Sequence, residues 1–279
     1  MNIARTIAEL RAARVDLPSP VGFVPTMGYL HAGHRMLMDG ARAQSRSVAV
    51  SIFVNPTQFG PGEDFERYPR DVPRDLAMCQ DAGVDVVFMP TVDEMYPAGA
   101  STTVRVGEIT SVLEGAHRPG HFDGVTTVVS KLFHIVQPDR AYFGLKDAQQ
   151  LLAIRRMVRD LDMPVEIVGC PTVREPDGLA LSSRNVYLSP EERMQALALS
   201  RGLRQATKAF ADGVRDASRL RGMVEREIAA QPLARIDYVS LADAESLGEL
   251  DAEIARPALL SLAVRFGSTR LIDNAVLTP

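Results

Sequence analysis

Short apolar runs with little polar interruption alternate with helical patterns as far as Val173, and this alternation leaves few folds open to the chain. Val21–Val24, Ser47–Val54, Val84–Met89, Arg140–Phe143 and Pro164–Val173 read as strands. Ser47–Val54 is too continuous for a half-exposed strand, which predicts a strand buried on both faces of a parallel sheet. Between these runs fall helical patterns: Ile3, Ile7 and Leu10 at helical spacing, then Arg35–Arg46, Val72–Ala82 closed by Gly83, about Gly124 to Val136, and Ala148–Leu161. Strand and helix in turn predict an α/β doubly wound sheet. Met95–Arg118 reads as an excursion from it, with Thr102–Val106 alternating like a short strand.

Beyond this region the pattern changes. Ser189-Pro190-Glu191-Glu192 has capping-box spacing with proline at the first helical position, so helices are expected over Pro190–Ala211 and Ala217–Ala230. Strand patterns follow at Ile236–Leu241, Ala258–Phe266 and Thr269–Ile272, the last two joined by Gly267-Ser268 as a tight hairpin. The change falls near residues 175–188. It predicts an N-terminal domain over residues 1–180 and a smaller α+β domain over residues 181–279, as 279 residues also suggest. The hydrophobic share of 46% is ample for a core. A net charge of −4 argues against nucleic acid or an anionic membrane as partner, so any anionic ligand must be met locally. Cys79 and Cys170 are far apart and carry no metal or disulfide spacing. No apolar run approaches the roughly 20 residues of a membrane span, and a reduced, cytoplasmic setting is expected.

Chemistry concentrates at strand ends. Pro25-Thr26-Met27-Gly28-Tyr29-Leu30-His31-Ala32-Gly33-His34 joins the first strand to a helix. Such a turn is expected to leave backbone N–H groups unpaired at the positive end of the helix dipole, a setting suited to phosphate. Gly28 and Gly33 would let a ligand approach the backbone, and His31 and His34 would project from one side of the first helical turn. Asn55-Pro56-Thr57-Gln58 follows the next strand and should lie at the same carboxyl edge of the sheet. Gly144-Leu145-Lys146-Asp147 repeats the strand-to-helix theme, placing Lys146 where a phosphate could reach it and Gln150 one turn into the helix. Ser182-Ser183-Arg184-Asn185 and the cationic turn Arg118-Pro119-Gly120-His121 add further donors. Donors of this kind suit phosphoryl transfer, which is mostly positioning and electrostatic stabilisation. Gln58 and Gln150 could form neutral hydrogen bonds to a polar acid. No GxxxxGK[ST] occurs, which excludes a P-loop kinase.

Together, Pro25–His34, Phe53-Val54-Asn55-Pro56-Thr57-Gln58-Phe59, Arg118-Pro119-Gly120-His121-Phe122, Tyr142–Asp147 and Leu181-Ser182-Ser183-Arg184-Asn185 resemble the pantothenate synthetase (pantoate–β-alanine ligase) family of the nucleotidylyltransferase superfamily. The resemblance implies a Rossmann-like N-terminal domain, a smaller C-terminal lid domain and a homodimer. It implies attack of (R)-pantoate on the α-phosphate of ATP, release of pyrophosphate, and displacement of AMP from pantoyl adenylate by β-alanine. On the same basis Met27, Gly28, Tyr29, Leu30, His31, Ala32, Gly33 and His34, with Gly144, Leu145, Lys146, Asp147, Val173, Leu181, Ser182, Ser183 and Arg184, line the ATP site. The resemblance makes His34 the catalytic histidine, with His31, Lys146, Ser182, Ser183 and Arg184 neutralising charge. An anion raises the pKa of such a histidine, whereas the helix N-terminus opposes this. Gln58, Gln150, Asn55, Arg118 and His121 are the substrate-binding candidates. Leu181 stands where the family often has Met, and Leu145 where Glu is common. Mg²⁺ is expected to enter with ATP and to be held mostly by its phosphates, with Asp75 and Asp147 as candidate ligands. Phe59–Arg70 is the candidate closing loop. Two other readings are another HxGH nucleotidylyltransferase with a different acceptor and a hydrolytic metal site built on His31, His34 and His121. A nucleotide sensor without turnover is a third.

Overall fold

The structure is a computed structural model describing residues 1–279. In chain order its elements are β1 (Asn2–Ala4), α1 (Ile7–Val15), β2 (Val21–Thr26), α2 (Ala32–Gln44), β3 (Ser47–Ile52), α3 (Val72–Asp81), β4 (Val86–Phe88), α4 (Val92–Met95), α5 (Glu114–His117) and α6 (His121–Val136). They continue with β5 (Arg140–Gly144), α7 (Ala148–Asp160), β6 (Glu166–Cys170), α8 (Pro190–Ala211), α9 (Ala217–Ala229), β7 (Ala234–Asp243), β8 (Ala258–Phe266) and β9 (Thr269–Leu277). Two compact units result. One holds residues 1–111, 118–145 and 149–171; the other holds residues 112–117, 146–148 and 172–279.

The first unit is a six-stranded, all-parallel sheet in the order β1-β4-β3-β2-β5-β6, the Rossmann-like arrangement. β2 and β3 pair from Val21↔Ser47 to Thr26↔Ile52, both buried, as continuous apolar strands require. The chain runs outward from β2 through β3 to β4 and, on the other side, from β5 to β6. The order therefore reverses between β2 and β5, and a ligand crevice is expected outside their carboxyl ends, beyond Thr26 and Gly144. Leu37, Met38 and Ala41 of α2 pack with Val24, Val50, Val87 and Tyr142. α6 is apolar nearly all round and buried from Phe122 to Val136 except at Asp123, Lys131 and His134, as a central helix must be. Arg14, in the last turn of α1, donates to the Val136 and Gln137 carbonyls and so satisfies the end of α6.

Three local expectations are corrected. Ile3 belongs to a strand, not a helix: Asn2–Ala4 pairs with Val86–Phe88, and α1 begins only after Thr6, its N-cap, which forms a capping box with Glu9. Thr102–Val106 joins no sheet. The Val104 N–H donates to Thr127 Oγ1 (2.9 Å) and Thr126 Oγ1 donates to the Val104 carbonyl (2.6 Å), so hydroxyls of α6 replace a partner strand. α6 starts at His121 rather than near Gly124, because Gly120 takes φ 81° and turns the chain into the helix.

The second unit packs α8 and α9 on an antiparallel sheet in the order β7-β8-β9. Ser189 and Glu192 form the expected capping box. The β8–β9 hairpin closes from Phe266 to Thr269 through Gly267 at φ 56°, the position where a type II′ turn needs glycine. α5 is tied to this sheet by charge: Arg270 of β9 donates to both oxygens of the buried Glu114 (2.5 and 2.8 Å), and Tyr238 of β7 donates to Glu114 Oε1 (2.9 Å). No helix is long and apolar enough to cross a membrane.

Candidate active site

The turn after β2 is closed by its own side chains. Thr26 Oγ1 donates to the Ser51 carbonyl and accepts from Gly28 N–H; Gly28 and Tyr29 then take left-handed φ values of 85° and 50°. The N–H groups of Tyr29 and Leu30 donate to Asp75 Oδ2 (2.8 Å) and Oδ1 (2.7 Å). His31 is the N-cap of α2, and its Nδ1 accepts from Gly33 N–H (3.1 Å), while Nδ1 of His34 accepts from His31 N–H (3.3 Å). Two imidazoles thus make a reciprocal capping box, their ring centroids 4.1 Å apart. A Cβ at position 33 would lie 2.9 Å from the His31 ring, so only glycine leaves room for this cap.

This corrects the expectation of an open backbone cradle. The N–H groups of Gly28, Tyr29, Leu30, His31 and Gly33 are all engaged within the protein. With Nδ1 an acceptor in both rings, both imidazoles in the neutral form carry their N–H on Nε2, at the positive end of the helix dipole.

A second cluster follows β3. Asn55, 1% exposed, accepts from Thr57 Oγ1 (2.9 Å) and Tyr96 OH (2.8 Å), and donates to Gln58 Oε1 (3.1 Å) and the Gly124 carbonyl (3.2 Å). Gln58 Nε2 donates to Met27 Sδ (3.3 Å). Its amide orientation is thereby fixed, and it keeps one N–H and one lone pair for a further partner. The Gln58 carbonyl accepts from His121 Nδ1 (2.8 Å). His121 Nε2 in turn accepts from Arg118 Nη1 (3.1 Å), because arginine can only donate. Arg118 is also held in two-point contact by Glu63 (2.8 and 2.6 Å). Burial pushes the Glu63 carboxyl up, but the hydrogen bonds and charge of Arg118 outweigh it and leave the group below its ordinary value. Asn55, Arg118 and His121, expected to touch substrate, all bear on Gln58. Of the two glutamines opening α7, Gln149 is buried and donates to the Ile109 carbonyl, whereas Gln150 is half-buried.

Gly144 and Leu145 belong to the first unit, whereas Lys146, Asp147, Val173, Leu181, Ser182, Ser183 and Arg184 belong to the second. Leu181 N–H donates to the Val173 carbonyl in a hairpin turned at Gly178, and Ser182 caps a 3₁₀ turn by accepting from Arg184 N–H. Arg174 forks onto Asp273 of β9 (2.6 and 2.9 Å), and the next residue, Asn274, donates to the Lys146 carbonyl (2.8 Å). Lys146 and Arg174, in the hairpin that precedes the serine-rich turn, are thus anchored on neighbouring residues of one strand. Asp75, a candidate Mg²⁺ ligand, is 1% exposed, and each of its oxygens accepts an N–H from the turn after β2. No group of three or more His, Cys, Asp or Glu side chains is placed to hold a metal ion, the trio His31, His34 and His121 included.

The sequence profile of the pantoate-beta-alanine ligase family matches residues 2–276. The chain belongs to that family. A pantothenate synthetase of Roseiflexus sp. (strain RS-1) is 60% identical over 277 residues, 99% of each chain, and that of Moorella thermoacetica is 59% identical over 280 residues. Among solved structures, a pantothenate synthetase from Thermus thermophilus matches with TM-score 0.95 at 54% identity, covering 100% of both chains. A pantoate-beta-alanine ligase from Francisella tularensis, complexed with beta-gamma ATP and beta-alanine, matches with TM-score 0.82 at 35% identity, covering 99% of this chain and 97% of that one.

As a ligase of this family, the chain owes its site geometry partly to residues whose part in it sequence patterns do not reveal. Glu63 reads as an ordinary loop carboxylate and Asp75 as a candidate Mg²⁺ ligand, yet each makes two hydrogen bonds to a segment far away in sequence. Gly124 reads as a helix start. A Cβ there would lie 2.4 Å from the Thr57 carbonyl oxygen and 2.7 Å from Gln58 Cα, so α6 can support the Gln58 turn only with glycine at this position.

Proposed function

We propose that the chain condenses (R)-pantoate with β-alanine at the cost of ATP, through pantoyl adenylate. A pantoate carboxylate oxygen attacks the α-phosphorus, the bond to the bridging oxygen of pyrophosphate breaks, and pyrophosphate leaves. The β-alanine amine then attacks the acyl carbon, AMP departs, and the amine proton is lost to solvent. The reading rests on family membership across residues 2–276. The geometric observation that carries the mechanism is the double imidazole cap, which presents both histidines as Nε2–H donors. Such donors can follow charge onto phosphate oxygens without a proton changing hands.

In this proposal His31, His34, Lys146, Ser182, Ser183 and Arg184 offset charge developing on the α-phosphate and pyrophosphate. Met27–His34, Gly144–Asp147, Val173 and Leu181–Arg184 hold ATP. Gln58 and Gln150 hold pantoate, and the remaining N–H and lone pair of Gln58 suit a hydroxy acid, which both accepts and donates. Asn55, Arg118 and His121 act by orienting Gln58. Mg²⁺ arrives as part of the ATP complex, held mainly by the phosphates. A homodimer in the cytoplasm is the working form, readable as twice the chain mass of 30.4 kDa by sedimentation. The test is product analysis: the purified chain with ATP, Mg²⁺, (R)-pantoate and β-alanine should release pantothenate, AMP and pyrophosphate in equal amounts. Release of ADP, or turnover without pantoate, would overturn the assignment.

A further inference from the structure

Asp75 lies on α3, outside every segment assigned above to substrate, and is 1% exposed. Both of its oxygens accept N–H groups from consecutive residues, Tyr29 (2.8 Å) and Leu30 (2.7 Å). Tyr29 has φ 50°, a left-handed conformation that a bulky L-residue rarely adopts unless its surroundings impose it. The neighbouring residue Arg74 stacks its guanidinium over the Tyr29 ring at 5.2 Å, so two successive residues of α3 grip the same point. A Cβ at Gly28 would approach Asp75 Oδ2 to 3.0 Å, so the carboxylate also fits closely behind that glycine. His31 begins immediately after Leu30, and the direction in which α2 and both imidazoles leave the turn is set by the conformation of Gly28 and Tyr29.

We infer that Asp75 is a positioning residue for the nucleotide: its carboxylate imposes the left-handed turn at Gly28 and Tyr29 from which His31 and His34 are aimed. This rests on the reading of the histidine turn as the ATP site. Stability alone does not account for the group. Burial raises its pKa more than the two backbone hydrogen bonds lower it, so the ionised form opposes folding at neutral pH. A buried carboxylate held against that penalty beside a strained turn indicates a functional constraint. Glycine at position 29 would adopt the same φ without imposition, which makes the inference separable from a packing role.

The experiment measures steady-state kinetics of Asp75→Asn, in which one acceptor becomes a donor facing an N–H, alone and in a Tyr29→Gly background. Expected for D75N is at least a tenfold rise in KM for ATP with KM for pantoate within twofold of wild type. In the Y29G background the same substitution should cost at least threefold less. Unchanged ATP affinity in a folded D75N chain, or an equal rise in both KM values, would overturn the inference. Should D75N fail to fold alone, the Y29G and Y29G/D75N pair carries the comparison, and an undiminished tenfold cost there overturns it as well. Wild-type pantothenate formation is the control: its absence would instead bring down the functional reading.

Discussion

His31 and His34 cap the same helix through each other: the Nδ1 of His31 holds Gly33 N–H, and the Nδ1 of His34 holds His31 N–H. Histidine is not among the usual N-cap residues, and here the cap fixes a tautomer as much as it ends a helix. His34→Ala removes a donor and also releases the backbone of His31, so the two residues act as a unit. Each alanine variant should lower the rate of adenylate formation at least about a hundredfold. The double variant should cost little more than the worse single one, as groups acting together do. A double-mutant cycle on single-turnover rates checks this, and additive losses would show two independent donors. The lost cap should also lower stability by about 1 kcal/mol in urea unfolding.

Gly124→Ala places a methyl group against the Thr57 carbonyl and Gln58 Cα, both backbone atoms that cannot move cheaply. Stability should fall by about 1–3 kcal/mol, the usual range for overpacking. KM for pantoate should rise at least tenfold, with KM for ATP nearly unchanged. An ATP defect of equal size would show that the Gln58 turn is not specific to the acid.

Glu63 ties the loop between β3 and α3 to Arg118, with its folded pKa below the ordinary 4.5. A depressed carboxyl contributes stability that is complete above its unfolded value and is lost as pH falls through the folded value. Protection of the Phe59–Arg70 amides, corrected for intrinsic exchange, should therefore be flat from pH 8 to pH 5 and decline below about 4.5. Glu63→Gln should speed exchange there on the order of fivefold at pH 7. Indifference of the loop to both changes would rule out the latch.

Lys146→Ala should reduce adenylate formation by at least about a hundredfold, the scale of one lost transition-state donor, while thermal stability stays close to wild type. The anchoring contact at residue 146 is through its carbonyl to Asn274, which alanine retains. Replacement of Gln150 should weaken pantoate binding above all, as isothermal calorimetry would register.

Much of this architecture is readable from residues alone. The uninterrupted runs at Val21–Val24 and Ser47–Val54 announce buried parallel strands, and Ser189-Pro190-Glu191-Glu192 announces the helix it caps. Asn2–Ala4 escapes because three residues carry too little periodicity, and Ile3 happens to sit at helical spacing from Ile7. Thr102–Val106 alternates because Val104 and Val106 turn inward while hydroxyls of α6 satisfy the Val104 backbone, a pairing no local pattern records. At the site, the motif containing His31 and His34 is evident, but the use of its N–H groups is not. That use depends on Asp75, 45 residues away, just as Gln58 depends on His121, 63 residues away.

The most direct measurement is isotope exchange between pyrophosphate and ATP in the presence of Mg²⁺, with β-alanine omitted. Exchange should require (R)-pantoate and should fall at least about a hundredfold in His34→Ala and Lys146→Ala. Exchange independent of pantoate, or undiminished in both variants, would contradict adenylate formation by these residues.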